Sequence, residues 1–100
     1  MTKKKVKGIR SIEIYDVYVD GCLRSLVHPL KVEVERDKDQ RYILCEPELD
    51  LFAANRDINK GIESIKKDFD TLWKNYAITN DHLTDDAKKF KEKLLKMVKI

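Results

Sequence analysis

From Ser11 to Val19 apolar and polar residues alternate, but the phase changes midway: Ile12 and Ile14 share one parity, and Tyr15, Val17 and Val19 the other. Period-two alternation marks a half-buried strand, and one extra residue in such a strand turns its following side chains to the opposite face. The segment therefore predicts a strand with a slip near Ile14–Tyr15. Asp20-Gly21 follows between Val19 and Cys22, the pattern of a two-residue hairpin turn whose central positions need positive φ. A return strand is expected from Cys22, bending at Pro29 or holding that residue on an edge, because proline has no ladder donor. Leu30, Val32 and Val34 then alternate with Lys31, Glu33 and Glu35, which gives a strand with one apolar and one charged face. Asp37 to Gln40 is polar enough to turn, and Arg41 to Glu46 reads as the antiparallel partner. Pro47 to Asp50 interrupts the ladder. Leu51 to Ala54 predicts a brief strand ending at Asn55, a residue tolerant of left-handed backbone geometry.

The period next changes from two to 3.6. Ile58, Ile62, Ile65, Phe69, Leu72, Trp73 and Tyr76 form one continuous helical stripe, with Asp57 placed to cap its start. A loop around Thr79-Asn80-Asp81 leads to a second helix, capped by Thr84 and carrying Asp85 and Asp86 in its first turn. Leu83, Ala87, Phe90, Leu94, Met97 and Val98 make its apolar face, and lysines fill the rest. Strands first and helices afterwards imply an α+β fold: an antiparallel sheet of about four strands, built from the N-terminal hairpins, with two C-terminal helices packed on one face. Phe69 and Leu72 are expected in the core with Val32, Val34 and Leu44. The sheet's other face would be open, and open faces and edges call for charge, cover or a partner.

With 100 residues the chain predicts a single domain over 11–100 preceded by a basic, flexible tail at 1–10. The net charge is +3, but it is unevenly spread. Lys3, Lys4, Lys5, Lys7 and Arg10 make the start basic, six lysines against three acids make residues 83–100 basic, and the acids prevail between. No apolar window is long enough to span a bilayer and no secretory leader is evident, so a cytoplasmic location is expected, with no membrane contact. In a reducing compartment Cys22 and Cys45, which sit within strand patterns, are expected as two buried thiols.

Catalytic patterns are lacking. Ser11, Ser25 and Ser64 lie in strand or helix patterns with no nucleophile elbow, and the glycines are isolated, so no phosphate loop or dinucleotide fingerprint forms. His28 has no Ser or Cys partner nearby and reads as a strand-edge imidazole. Glu46, Glu48 and Asp50 cluster around Pro47, a pattern more often solvated than metal-binding. Trp73 and Tyr76 belong to the helix stripe. No catalytic residue, metal or cofactor is expected, and the chain reads as a binding module, not an enzyme.

Between Val27 and about Lys67 the order is strand, charged turn, strand, the words Cys45-Glu46-Pro47-Glu48-Leu49-Asp50-Leu51-Phe52-Ala53, then a capped helix. This resembles the HicB-like antitoxin family, with its acidic Asp-x-Asp-Gly turn, its Cys-Pro-Glu-Leu stretch and its Gly-Asp-Thr-x-x-Glu-Ala helix start. Asp37 and Asp39 match the turn while Gln40 replaces its glycine; Asn55 replaces the later glycine and Asp57 the capping threonine. Lys60-Gly61 stands where Glu-Ala is usual. The resemblance covers about forty residues and implies a small stand-alone relative without the DNA-binding C-terminal domain. It implies neutralisation of a small basic RNase-type toxin by protein–protein contact, and a homodimer. The acidic partner surface is expected at Glu33, Glu35, Glu46, Glu48 and Asp50, and the dimer contact at Ile12, Ile14, Val17 and Val19. The alternative is a nucleic-acid-binding module using Lys3, Lys4, Lys5, Arg10 and the lysine-rich last helix.

Overall fold

The computed structural model describes residues 10–78 and 82–99; Lys3, Lys4, Lys5 and the loop expected around Thr79–Asp81 lie outside them. The fold is α+β. Four strands, β1 (Arg10–Val19), β2 (Cys22–Arg36), β3 (Tyr42–Glu46) and β4 (Leu51–Asn55), form one antiparallel sheet in the order β1-β2-β3-β4. Helix α1 (Ile58–Leu72) runs into one π-helical turn (Trp73–Ala77), and α2 (Asp85–Met97) follows; the helices pack on the sheet. The described residues group into two compact units, 10–14 with 30–65, and 15–29 with 66–78 and 82–99. β1, β2 and α1 run from one unit into the other.

In the first unit alternation sets the faces. Val34 pairs with Leu44 and Leu44 with Ala53, so these side chains share the buried face, while Glu33, Cys45 and Phe52 share the opposite one. Leu30, Val32, Val34, Leu44, Leu51, Ala53 and Ile65 are buried. Asp57 caps α1 as expected, its carboxylate accepting from the Asn59 N–H at 2.9 Å. Gly61 is a close approach of helix to sheet: a Cβ there would lie 2.8 Å from Leu44 Cδ1.

The expected left-handed residue Asn55 is not one. It ends β4, and its side-chain oxygen accepts from the Asp57 N–H at 2.9 Å. Positive φ falls instead at Asp20, Gly21, Gln40 and Asp50. Gln40, at φ 66°, occupies the conformation that a glycine would hold without strain. β2 also continues through Pro29 without a break. That proline sits where the strand changes neighbours, between Leu26, bridged by Val98, and Glu33, the first residue paired with β3.

In the second unit Val17, Leu26, Phe69, Trp73, Ala77, Leu94 and Val98 are buried, with the Phe69 and Trp73 rings stacked at 6.4 Å. Leu72 is only half-buried. The helical stripe widens at its end: the Ile78 N–H bonds the Trp73 carbonyl five residues back, and Tyr76 sits edge-on to Phe90 at 4.9 Å. Thr84 caps α2 by accepting from the Ala87 N–H. After α2 the chain is extended, and Lys99 N–H donates to the Ser25 carbonyl along β2.

Candidate interaction surface

On the open face of the first unit the register sets side by side Glu33 with Cys45 and Glu35 with Ile43, then Cys45 with Phe52 and Ile43 with Ala54. Glu33, Glu35, Cys45 and Phe52 are exposed, and Phe52 keeps 58% of its surface in solvent. A shallow pocket opens between Glu33, Glu35, Ile43 and Cys45. The arrangement is an apolar strip flanked by carboxylates. It offers hydrophobic contact and negative charge on one rigid sheet surface, the elements of a protein-binding face.

The other expected contact residues divide. Glu48 and Asp50 are exposed. Glu46 is not a surface residue: it is 1% exposed, and its carboxylate accepts from the Glu48 N–H at 2.8 Å and the Leu49 N–H at 2.7 Å. Its even register position points it to the buried face, where it satisfies the turn after Pro47. Buried there, it cannot touch a partner. The expectation that Ile14 and Val17 offer apolar contact outside the fold is corrected in the same way. Both are buried within the fold, although they lie three apart in β1; Ile12 and Val19 are half-buried. Arg10 is exposed at the start of β1.

Cys22 and Cys45 are free and both exposed, against the expectation of burial. Cys22 stands beside the hairpin turn, and Cys45 is paired with Glu33 and Phe52 on the open face. Among the described residues no cluster of His, Cys, Asp or Glu could hold a metal ion. No helix among them is long and apolar enough to cross a membrane.

Two polar devices were missed in the sequence. In the second unit Asp70 of α1, beside the apolar stripe, is itself buried. Its carboxylate accepts from the Asp20 N–H at 2.7 Å and the Gly21 N–H at 3.0 Å, and Lys74 lies 3.6 Å away. It thus holds the β1–β2 turn. Lys66 pairs with Asp16 at 2.6 Å.

In the first unit Asp37 organises the β2–β3 turn, accepting from the N–H groups of Asp39 and Arg41 and pairing with the Arg41 guanidinium at 2.8 Å. The Arg41 backbone bond leads in holding the Asp37 carboxyl below its ordinary pKa; desolvation opposes it, and the Arg41 side chain and the Asp39 amide add to the lowering. Partial burial raises Asp68. No family model, curated protein or solved structure matches this chain.

Proposed function

We propose that the chain is a non-catalytic binding module of HicB-like antitoxin type, which covers a small basic RNase-type protein with the open face of its first unit. The observation that supports this is the strip Ile43, Cys45 and Phe52 bordered by Glu33 and Glu35. A small RNase must present cations to hold phosphates. Carboxylates opposite those cations steer association, and the apolar strip supplies the desolvated centre. Among the described residues of this unit acids outnumber bases. Gln40 at positive φ is a further support, since it stands where the family's turn has glycine. The test is co-purification with the product of an adjacent gene encoding a short basic protein. Failure of that protein to bind, or absence of any such gene, defeats the reading.

Self-association belongs to the same proposal. β1 and β4 are the edge strands of the sheet, and β4 carries no charged residue to discourage pairing with another copy. Light scattering at roughly 100 μM, well above weak specific affinities, tests it, and a strict monomer rejects it. The second reading is nucleic-acid binding through Lys3, Lys4, Lys5, Arg10 and the lysines of α2. It is favoured by the excess of bases over acids in the second unit. Its signature is binding that weakens steeply with salt.

A further inference from the structure

One end of the first unit holds a cavity of about 120 Å³ walled by Arg10 and Ile12 of β1, Val34 and Arg36 of β2, Tyr42 of β3 and Ile58, the first residue of α1. Two of these residues are arginines and none is a carboxylate, although acids outnumber bases among the unit's described residues. Arg36 is held in place. Its guanidinium lies 4.7 Å over the Tyr42 ring, and Nη2 donates to the Gln40 carbonyl at 3.3 Å. Those contacts orient the group without neutralising it, and most of its five donors are left for other partners. Among the described residues neither Arg10 nor Arg36 forms an ion pair, in contrast to Arg41, which is committed to Asp37.

Two cations on one apolar-walled cavity repel each other, and an anion between them relieves that repulsion. We infer that this cavity binds a phosphate group. A phosphate monoester carries close to two negative charges and several acceptor oxygens, which match two guanidinium forks, whereas a carboxylate matches one. Ile12, Val34 and Ile58 supply walls that lower the local dielectric and strengthen such bonds. Arg36 and Tyr42, paired across β2 and β3, share the parity opposite to Glu33 and Glu35, so although Val34 borders both pockets the arginines of the cavity lie apart from the carboxylates of the open face. The phosphate can be free, carried on a small metabolite, or the terminal phosphate of a nucleic acid.

The test is calorimetric titration of the full chain at fixed ionic strength with inorganic phosphate, with acetate, and with one oligonucleotide in 5′-phosphorylated and unphosphorylated forms. Saturable phosphate binding is expected, weakened about tenfold or more in Arg10→Gln and in Arg36→Gln, as the loss of a charged hydrogen bond requires. Arg41→Gln, outside the cavity, should bind as the parent does. Tighter binding of the phosphorylated oligonucleotide than of its twin and of free phosphate supports a nucleic-acid end as the source; equal affinity for free phosphate supports a small ligand. Absence of saturable phosphate binding, acetate bound as tightly, or the same loss in Arg41→Gln overturns the inference.

Discussion

Replacing Glu46 with alanine should destabilise the protein without touching any exposed surface. The side chain is 1% exposed and its two carboxylate oxygens accept from the N–H groups of Glu48 and Leu49 at 2.8 and 2.7 Å. A hydrogen bond to a charged group contributes about 1.5–3 kcal/mol. The Glu48 amide is only partly buried and can turn to water, while the Leu49 amide is buried and would be left without a partner. The net loss in Glu46→Ala is therefore about 2–4 kcal/mol, or roughly 10–25 °C in Tm for a chain of this size. Glu46→Gln keeps one side-chain acceptor oxygen but turns the other position into a donor, so it should lose about half as much. Urea unfolding gives the number, with an unchanged slope showing that the unfolded state is not responsible. Glu33→Ala and Glu35→Ala, on the open face, should stay within about 0.5 kcal/mol of the parent. A Glu46→Ala variant as stable as those two would refute the burial and the capping role together.

Phe69→Ala should cost about 3–5 kcal/mol by thermal or chemical unfolding, because the ring is fully buried and stacks on Trp73. Gln40→Gly should raise stability by about 0.5–1 kcal/mol by relieving a left-handed φ, and unchanged or lower stability would deny the strain. Gly61→Ala should fail to deliver the roughly 1 kcal/mol that helix propensity predicts, since its Cβ meets Leu44, itself fully buried; a gain of that size would show that the helix can move away. By NMR titration the Asp37 carboxyl should show a midpoint below that of an ordinary aspartate. Arg41→Gln should restore it only in part, because the leading cause is the Arg41 backbone N–H. With the folded pKa depressed, the support Asp37 lends the turn is present above the ordinary aspartate pKa and fades as pH falls through the lowered one.

The elements that follow from periodicity were legible in the sequence. The change of phase in the buried positions of β1, the Asp20-Gly21 turn, the Asp57 and Thr84 caps and the helical stripe each rest on local sequence patterns. What the sequence hid depends on contacts distant along the chain. Glu46 follows an inward-facing Leu44 by two residues, so its parity already placed it inside, yet its acidity and its neighbour Pro47 suggested a solvated turn. Cys45 reads as a small buried hydrophobe until the register sets it on the open face with Phe52. Gly61 stands where the HicB-like pattern has alanine, and the nearness of Leu44 gives the departure a structural reason. Arg10 and Arg36 are far apart in sequence, and their meeting at one cavity required the sheet order.

The most direct test of the proposal that the open face of the first unit binds a basic protein compares affinities for a short basic protein found encoded in an adjacent gene. Calorimetry or surface binding would be run on the parent, on Glu33→Lys/Glu35→Lys and on Phe52→Asp, all at exposed positions where folding should survive and can be confirmed by circular dichroism. The account predicts a specific complex whose association slows with added salt, weakened about a hundredfold or more by either variant, as expected when charges are reversed or an aromatic anchor is lost. A complex of unchanged affinity in both variants, or no complex with the parent, would contradict it.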